Sequence, residues 1–382
     1  MSYIYTNKGF YQVGNKNFYN TLEACLAIDQ LPDQTHHLHG NFHDTIFSQY
    51  CWDVEPPVDI LTLYRERAQQ LRDNYDHLVL FYSGGADSHT VLQSFINNNI
   101  HLDEVFLFGA FEAEKQRAAE LGLDREPGYY TREVHYLVEP RLRELQKKHH
   151  FRITKWDWTN RTLKLLENPD WIWQVGTRFS PDTVARQCLH DIARHTDRYE
   201  DKGKRTAFIF GVDKPRLLRD DHNAYLAFLD VMLTTGAGNH NDIVGKHWEN
   251  DEYFYWTPNM PQIAIKQSHL ILKYLKSTGM TSILPIVGHV GSFQMMEYYQ
   301  LIHPVIYPNW DTNTWQIKKS KSVVRDEFSQ WFFDFAPDRS QQQWKSGIDQ
   351  ISRSINPRFF NDNDVWKGLV VNFSKHYRIG TI

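Results

Sequence analysis

The middle of the chain alternates between two hydrophobic patterns. Short apolar runs predict four buried β-strands, at residues 78–82, 104–108, 151–156 and 206–211. Apolar residues at helical spacing predict four helices, at residues 88–97, 132–148, 181–195 and 262–276. Strands that alternate with helices are typical of βαβ units. The pattern therefore predicts an α/β fold with a doubly wound, mostly parallel sheet.

The amino-terminal part has a different pattern. Alternating apolar residues at 3–5 and 10–14 predict a β-hairpin, and residues 21–28 predict a short helix. Apolar spacing at residues 58–74 predicts an amphipathic helix. Its expected polar face carries Arg65, Glu66, Arg67 and Arg72.

After Gly279 the sequence changes again, to a mixed pattern that is rich in aromatic residues. Three units are therefore predicted. They are a hairpin-and-helix extension at 1–75, an α/β domain at 76–278, and an aromatic-rich substrate or lid domain at 279–382.

Composition argues against several classes of protein. The chain has 382 residues, of which 41% are hydrophobic and 23% charged, so a sizeable core is expected. The 42 Lys and Arg against 46 Asp and Glu give a net charge of −4, which excludes nucleic-acid binding through bulk positive charge. No apolar run approaches the roughly 20 residues of a membrane-spanning helix, and the amino end lacks a secretory pattern. The three cysteines are too scattered for a disulfide framework, so we expect a cytoplasmic protein with no membrane partner.

The strongest chemical signal is the segment that follows the first strand of the α/β region. Residues 83–88 read Ser-Gly-Gly-Ala-Asp-Ser, and a helix is predicted directly afterwards. We call this segment the glycine loop. Its two glycines allow a sharp turn in which bare amides approach an anion, and its two serines add hydroxyl donors. The helix N-terminus adds unpaired N–H groups and a positive dipole end. A carboxylate beside phosphates requires a cation, so Asp87 indicates Mg²⁺.

The glycine loop resembles the SGGxDS pyrophosphate-binding loop of the PP-loop ATP pyrophosphatases, the adenine nucleotide alpha hydrolase superfamily, which includes the asparagine synthetase-like ATP-binding domains. The resemblance implies a HUP-like, Rossmann-like fold, ATP and Mg²⁺ as cofactors, and cleavage of ATP between its α- and β-phosphates. Carried over by position, the pyrophosphate contacts are Ser83, Gly84, Gly85, Asp87 and Ser88. Asp87 is also the implied catalytic metal ligand. The superfamily binds adenine at the end of the second strand, which corresponds here to Phe108 and Gly109.

Four charged residues near strand ends and helix starts are weaker candidates. Asp213 follows the strand at 206–211 and is a candidate second Mg²⁺ ligand with a catalytic role, and Lys214 beside it is a candidate phosphate contact. Arg178 precedes a predicted helix and could reach a phosphate, and Lys266 could balance charge at the α-phosphate as a catalytic cation. The alternative for each is an ordinary charged side chain on a turn or helix surface.

The cysteine positions distinguish branches of the superfamily. Residue 2 is serine, so the N-terminal cysteine of an asparagine synthetase glutaminase is not expected. Thiolation normally uses paired cysteines, and adenylylsulfate reduction needs a C-terminal cysteine, whereas the last cysteine here is Cys188. The main hypothesis is therefore an adenylating ligase that forms AMP and pyrophosphate. It would activate a small-molecule carbonyl or carboxylate for attack by an amine or ammonia.

Two alternatives stay open. The first is a PP-loop enzyme that modifies a tRNA or DNA base, bound by a basic face at Lys318, Lys319 and Lys321 while tryptophans stack on bases. The second is a protein that binds ATP or AMP without catalysis. In the main hypothesis the aromatic residues, 14% of the chain, instead fill a core.

Overall fold

The fold is taken from a computed structural model. The structure describes residues 10–18, 20–31, 39–122, 134–174, 205–212, 216–228, 249–287, 295–310, 331–332, 334–354 and 374–382. The first elements are β1 (Phe10–Val13), β2 (Lys16–Phe18), α1 (Thr21–Asp29), β3 (His39–Asn41), α2 (Asp44–Phe47) and α3 (Ile60–Asn74). The three strands form an antiparallel sheet in the order β2-β1-β3. Of the predicted hairpin, the second strand is present as β1, which pairs with β2 and β3, while the first predicted strand at 3–5 lies outside the described residues.

The central feature is a five-stranded, all-parallel sheet. Its strands are β4 (His77–Phe81), β5 (Glu104–Gly109), β6 (Arg152–Asp157), β7 (Thr206–Phe210) and β10 (Glu249–Tyr253). Their spatial order is β10-β7-β4-β5-β6, and every neighbouring pair is parallel. The four strands predicted from apolar runs are confirmed, each with ends shifted by at most one residue. The chain therefore has an α/β fold with a parallel central sheet flanked by helices.

Helices connect and flank these strands. They are α4 (Ala86–Ile96), α5 (Phe111–Glu120), α6 (Glu139–His149), α7 (Thr159–Leu166), α8 (Trp171–Gln174), α9 (Gln262–Ser277), α10 (Met295–Ile306) and α11 (Asp338–Ser354). The helices predicted at 88–97 and 262–276 are confirmed as α4 and α9. A π-helical turn at Val134–Val138 leads into α6, which matches the described part of the helix predicted at 132–148. The helix predicted at 181–195 lies outside the described residues. Five of the helices named here were not predicted, namely α5, α7, α8, α10 and α11.

A second antiparallel sheet joins distant parts of the sequence. It contains β8 (Arg216–Arg219), β9 (Asn223–Ala227) and β11 (Tyr377–Thr381), in the order β11-β9-β8. The strand at the end of the described chain thus pairs with a strand from the middle of the sequence. Among the described helices, none combines the length and apolar character that crossing a membrane requires.

The fifth strand of the central sheet, β10, could not be seen in the apolar pattern because its sequence is Glu-Asn-Asp-Glu-Tyr. It is an edge strand, and its Glu252 is buried beside Arg67 of α3. Arg67 Nη2 donates to Glu252 Oε2 at 2.6 Å and to the Tyr253 carbonyl at 2.9 Å, and the Tyr75 hydroxyl donates to Glu252 Oε1 at 2.6 Å. The prediction that Arg67 lies on a polar helix face is therefore wrong, since the side chain is 1% exposed and ion-paired. This buried pair fixes α3 to the edge of the sheet.

Aromatic rings fill much of the described core. Phe81 on β4 stacks on Phe210 of β7 with ring centroids 4.7 Å apart, and it also contacts Phe106 and Phe108 of β5. In the C-terminal third, Trp331 and Trp344 are buried as well. Rings packed in this way contribute large apolar burial. These contacts match the expectation of a ring-filled core.

His43, at the start of α2, gives the fold a sensitivity to acid. Burial lowers its pKa from 6.5 to about 4, although the charge of Asp44 opposes the shift. Between those two values the unfolded chain binds more protons than the folded chain, so the free energy of unfolding falls as the pH is lowered through this window. We expect His43 to account for a loss of up to about 3 kcal/mol.

The variant that tests this is His43→Asn, because asparagine tolerates the left-handed backbone found there, with φ of 59°. Urea unfolding at about pH 7 and about pH 4 should show a smaller acid-induced loss in the variant than in the wild type. Equal losses in both proteins would contradict the role of His43.

Candidate functional site

The glycine loop lies where the strand order of the central sheet reverses. The chain runs from β4 outward to β5 and β6, and then continues on the other side of β4 with β7 and β10. In open parallel sheets, ligands bind outside the carboxyl ends of the strands at such a switch point. The loop follows the carboxyl end of β4, and Gly211 follows that of β7. The topology thus brings the loop to the expected position of a ligand-binding crevice.

Gly84 has a backbone that a larger residue could not adopt here. Its φ is +80°, in the left-handed region, and the residue is buried. A Cβ at this position would overlap Cγ2 of Val138, in the turn that leads into α6. The glycine is therefore required both by the turn of the loop and by the close packing of the next layer.

The two serines of the loop are hydrogen-bonded to each other and to the loop backbone. Ser83 Oγ and Ser88 Oγ are 3.2 Å apart, and Ser88 Oγ also accepts from the Ser83 amide at 3.2 Å. The Gly85 amide donates to Ser83 Oγ at 3.4 Å. These contacts hold the loop in a compact turn with both hydroxyls close to the beginning of α4.

The beginning of α4 has no side-chain cap. Gly85 is the N-cap residue, and as a glycine it forms no side-chain cap hydrogen bond. The first N–H groups of a helix have no partners within the helix, and together with the dipole they favour an anion. The predicted helix start is corrected, since α4 begins at Ala86 and therefore includes Asp87 and Ser88 in its first turn. The result is an anion-binding geometry beside two serine hydroxyls.

Gly211 brings β7 against the same turn. A Cβ at Gly211 would lie 2.9 Å from Ser88 Cα, 3.0 Å from Ser88 N and 3.1 Å from the carbonyl carbon of Asp87. All three atoms belong to the backbone, so a side chain would displace the N-terminus of α4. Two adjacent strands therefore both shape the loop, and each does so through a glycine.

Asp87 is held by two buried tyrosines. The Tyr307 hydroxyl donates to Oδ1 of Asp87, and the Tyr255 hydroxyl donates to its backbone carbonyl at 2.6 Å. Burial, together with the charge of Asp87, raises the pKa of both phenols well above the usual range, so both stay protonated donors at neutral pH. The Asp87 side chain is half-buried beside the serine pair.

A histidine and an arginine complete the surroundings of the loop. His89 Nδ1 is 2.8 Å from the Tyr82 hydroxyl, and burial lowers the pKa of His89 to about 3, with a further contribution from the charge of Arg141. His89 is therefore neutral at physiological pH. Arg141 follows Val138 by one helical turn, on the element that packs on Gly84, and its charge acts on His89, the residue after the loop.

The two residues predicted to bind adenine end the neighbouring strand β5. The Phe108 ring packs between Phe81 and Trp158, with centroid distances of 5.3 Å to each. The Gly109 carbonyl accepts from the Trp158 amide at 3.0 Å, and a Cβ on Gly109 would lie 2.9 Å from the Phe111 ring. Both residues lie at the carboxyl edge of the sheet, as the adenine assignment requires. The assignment itself stays a prediction.

Lys266 has a different environment from the one its predicted role requires. Its Nζ donates to Glu55 Oε1 at 2.6 Å and to the Pro56 carbonyl at 3.0 Å, and the residue is buried. The hydrogen bond from Lys266 lowers the pKa of the Glu55 carboxyl. The structure thus pairs this cation with the segment before α3, and its role at an α-phosphate stays a prediction.

Several predicted site residues lie outside the part of the chain that the structure describes. They are Arg178, Asp213, Lys214, Lys318, Lys319 and Lys321. Within the described part, the structure brings together Ser83, Gly84, Gly85, Asp87 and Ser88 as the sequence predicts. It adds Tyr255 and Tyr307, which lie 168 and 220 positions from Asp87, so no local sequence pattern relates them to the loop.

The donor set of the loop fits a nucleotide phosphate with Mg²⁺. Within the described ranges, no three His, Cys, Asp or Glu side chains cluster as a self-contained metal site. Mg²⁺ commonly binds through one or two carboxylates together with substrate phosphates. Asp87, in the first turn of an uncapped helix, supplies one such carboxylate where the phosphates would bind. The residues therefore fit a metal that is shared with the nucleotide.

Comparison with protein-family models gives no match to this sequence, and comparison with curated proteins gives none either. The function is therefore inferred from the geometry of the site and from the resemblance of the glycine loop.

Proposed function

We propose that the protein is an ATP-dependent adenylating enzyme, which forms AMP and pyrophosphate while activating a carbonyl or carboxylate for attack by an amine or ammonia. One observation carries the proposal: the uncapped N-terminus of α4, behind a Ser-Gly-Gly turn, lies at the switch point of a parallel sheet. That arrangement supports assigning the fold to the doubly wound, HUP-like class of the PP-loop enzymes. An ATP-consuming reaction also agrees with the cytoplasmic location expected from the sequence.

In this proposal the loop binds the β- and γ-phosphates. The first-turn amides of α4 and the hydroxyls of Ser83 and Ser88 donate to phosphate oxygens, and the hydroxyls do so in place of some of their present contacts with each other. Asp87 holds Mg²⁺, which when bound neutralises phosphate charge and makes pyrophosphate a better leaving group. Arg141, whose charge acts on His89, is a candidate second positive charge for the phosphates.

The reaction follows from which phosphates are held. An oxygen of the acceptor substrate attacks the α-phosphorus of ATP, and the bond from that phosphorus to the α–β bridging oxygen breaks. The electron pair leaves with pyrophosphate, which the loop stabilises by hydrogen bonds that strengthen as charge develops. The amine then attacks the activated carbon, the carbon–oxygen bond to AMP breaks, and the amine nitrogen loses a proton. The net products are AMP, pyrophosphate and the amide or imine.

Binding of inorganic pyrophosphate tests the proposed role of the loop without an acceptor substrate. In calorimetric titrations with Mg²⁺ present, wild-type protein should bind pyrophosphate, and ATP should compete with it. Ser88→Ala should weaken pyrophosphate binding about tenfold, because hydrogen bonds to charged groups contribute roughly 1.5–3 kcal/mol.

Ser94→Ala is the matched control for that experiment. Ser94 is another buried serine of α4, and its hydroxyl donates to the Thr90 carbonyl at 2.7 Å, away from the loop. It should leave pyrophosphate affinity unchanged. Equal affinities for all three proteins, or binding of pyrophosphate with which ATP does not compete, would contradict the proposed role of the loop.

A further inference from the structure

Asp87 is connected to the C-terminal third of the chain by a buried hydrogen bond. Tyr307, which follows α10, donates from its phenol to Oδ1 of Asp87. Tyr307 is 0% exposed. A hydrogen bond to an ionised carboxylate is stronger than one between neutral groups, and its strength increases where water is excluded. This single contact therefore has a large influence on how the Asp87 carboxylate is oriented.

The phenol of Tyr307 is itself held in place. Its ring lies 5.6 Å from that of Tyr255, which in turn lies 5.5 Å from that of Tyr64. Tyr64 of α3 donates to the Ile306 carbonyl at 2.7 Å, next to Tyr307 in the chain, and accepts from Gln267 Nε2 at 2.8 Å. Helix α3 and the residues that follow β10 and α10 thus contribute to one buried tyrosine cluster, which we define as Tyr64, Tyr255 and Tyr307.

The two hydroxyls that reach Asp87 act on different parts of it. Tyr255 donates to the backbone carbonyl, so it fixes the first turn of α4. Tyr307 donates to the carboxylate, so it fixes the rotation of the side chain that would hold a metal. Partners that orient a metal ligand typically change metal affinity by 10–100-fold when removed.

We propose that Tyr307 is the positioning residue for Asp87, through which the segment containing α10 controls Mg²⁺-dependent nucleotide binding. The inference rests on the proposed function in that Asp87 is taken as the metal-binding carboxylate. It assigns a role to part of the C-terminal third, because the segment containing α10 orients the proposed metal ligand through the side chain of Tyr307.

The test compares ATP affinity with Mg²⁺ and with a chelator, by calorimetry on the full chain. The ratio of the two dissociation constants is the metal-dependent gain. In the wild type this gain should be large, and in Asp87→Asn it should be lost. Tyr307→Phe should reduce the gain about tenfold while leaving metal-free ATP binding unchanged, because the phenol orients the carboxylate and does not touch the nucleotide.

Tyr75→Phe is the matched control, because it removes another buried phenol that donates to a carboxylate, in this case Glu252 Oε1 at 2.6 Å. It should lower stability to a similar extent, measured by urea unfolding, and yet keep the metal-dependent gain. A wild-type gain in Tyr307→Phe would overturn the positioning role.

A spectroscopic measurement on the wild type keeps the inference testable if Tyr307→Phe does not fold. Adding ATP with Mg²⁺ should change the near-ultraviolet tyrosine absorption, because charge on the Asp87 carboxylate sets the strength of the Tyr307 hydrogen bond. The change should persist in Tyr75→Phe and be absent in Asp87→Asn. If the wild type shows the metal-dependent gain but no change in tyrosine absorption, the inference about Tyr307 is overturned and the proposed function is not. A wild type that binds no ATP would overturn the proposed function, and the inference with it.

Discussion

Asp87→Ala is expected to reduce Mg²⁺-dependent pyrophosphate release by roughly a thousandfold. The change removes the one described carboxylate of the glycine loop, and with it the residue proposed to hold the cation that offsets developing phosphate charge. The loss should be measured as initial rates of pyrophosphate release over a range of Mg²⁺ concentrations. More Mg²⁺ should not restore activity, because the ligand itself is missing.

Asp87→Asn distinguishes loss of charge from loss of structure. The amide oxygen of asparagine can still accept the hydrogen bond from Tyr307, whereas alanine leaves that buried phenol without its acceptor. We expect the asparagine variant to be inactive but more stable than the alanine variant in urea unfolding. Full activity in either variant would remove Asp87 from the site.

Gly84→Ala is expected to weaken pyrophosphate binding about a hundredfold, which corresponds to roughly 2.7 kcal/mol. An alanine must adopt the left-handed conformation at φ of +80°, which costs roughly 1–2 kcal/mol, and its methyl group overlaps Val138. Overpacking of this kind typically costs a further 1–3 kcal/mol or shifts the backbone. A shifted loop would no longer direct its amides at the phosphates. Calorimetric titration with pyrophosphate and urea unfolding measure the two effects.

Gly279→Ala separates the cost of the left-handed conformation from the cost of the overlap with Val138. Gly279 also has a positive φ, +69°, but nothing lies within 4 Å of the position of its Cβ. It should therefore show only the conformational cost, with pyrophosphate affinity unchanged. Combining Gly84→Ala with Val138→Ala should recover part of the lost affinity, because the overlapping isopropyl group is removed. Equal behaviour of Gly84→Ala and Gly279→Ala would contradict the packing argument.

The sequence predicted those parts of the fold whose signals are local. A buried strand followed by Ser-Gly-Gly-Ala-Asp-Ser is visible within eleven residues, because strand, turn and helix start are consecutive. The four apolar strands were equally visible. The charged strand β10 was not, because its burial depends on Arg67, 185 positions away from Glu252.

The site was predicted only in part, for the same physical reason. The serines and glycines of the loop are determined by local geometry, whereas Tyr255 and Tyr307 reach Asp87 only after the chain has folded. The partner of Lys266 could not be predicted either. The residues near it in the sequence do not indicate an ion pair, and in the structure it pairs with Glu55, 211 positions earlier.

The measurement that tests the central claim most directly is the identity of the products formed from ATP. Purified protein would be incubated with Mg²⁺, ammonia, a pool of small carboxylic acids, and ATP labelled separately at its α- and γ-phosphates. A loop that binds the β- and γ-phosphates as a leaving group predicts α-label in AMP and γ-label in pyrophosphate, in equal amounts, with both formed roughly a thousandfold more slowly by Asp87→Ala. Recovery of ADP and orthophosphate, or of the same products from Asp87→Ala at the wild-type rate, would contradict it.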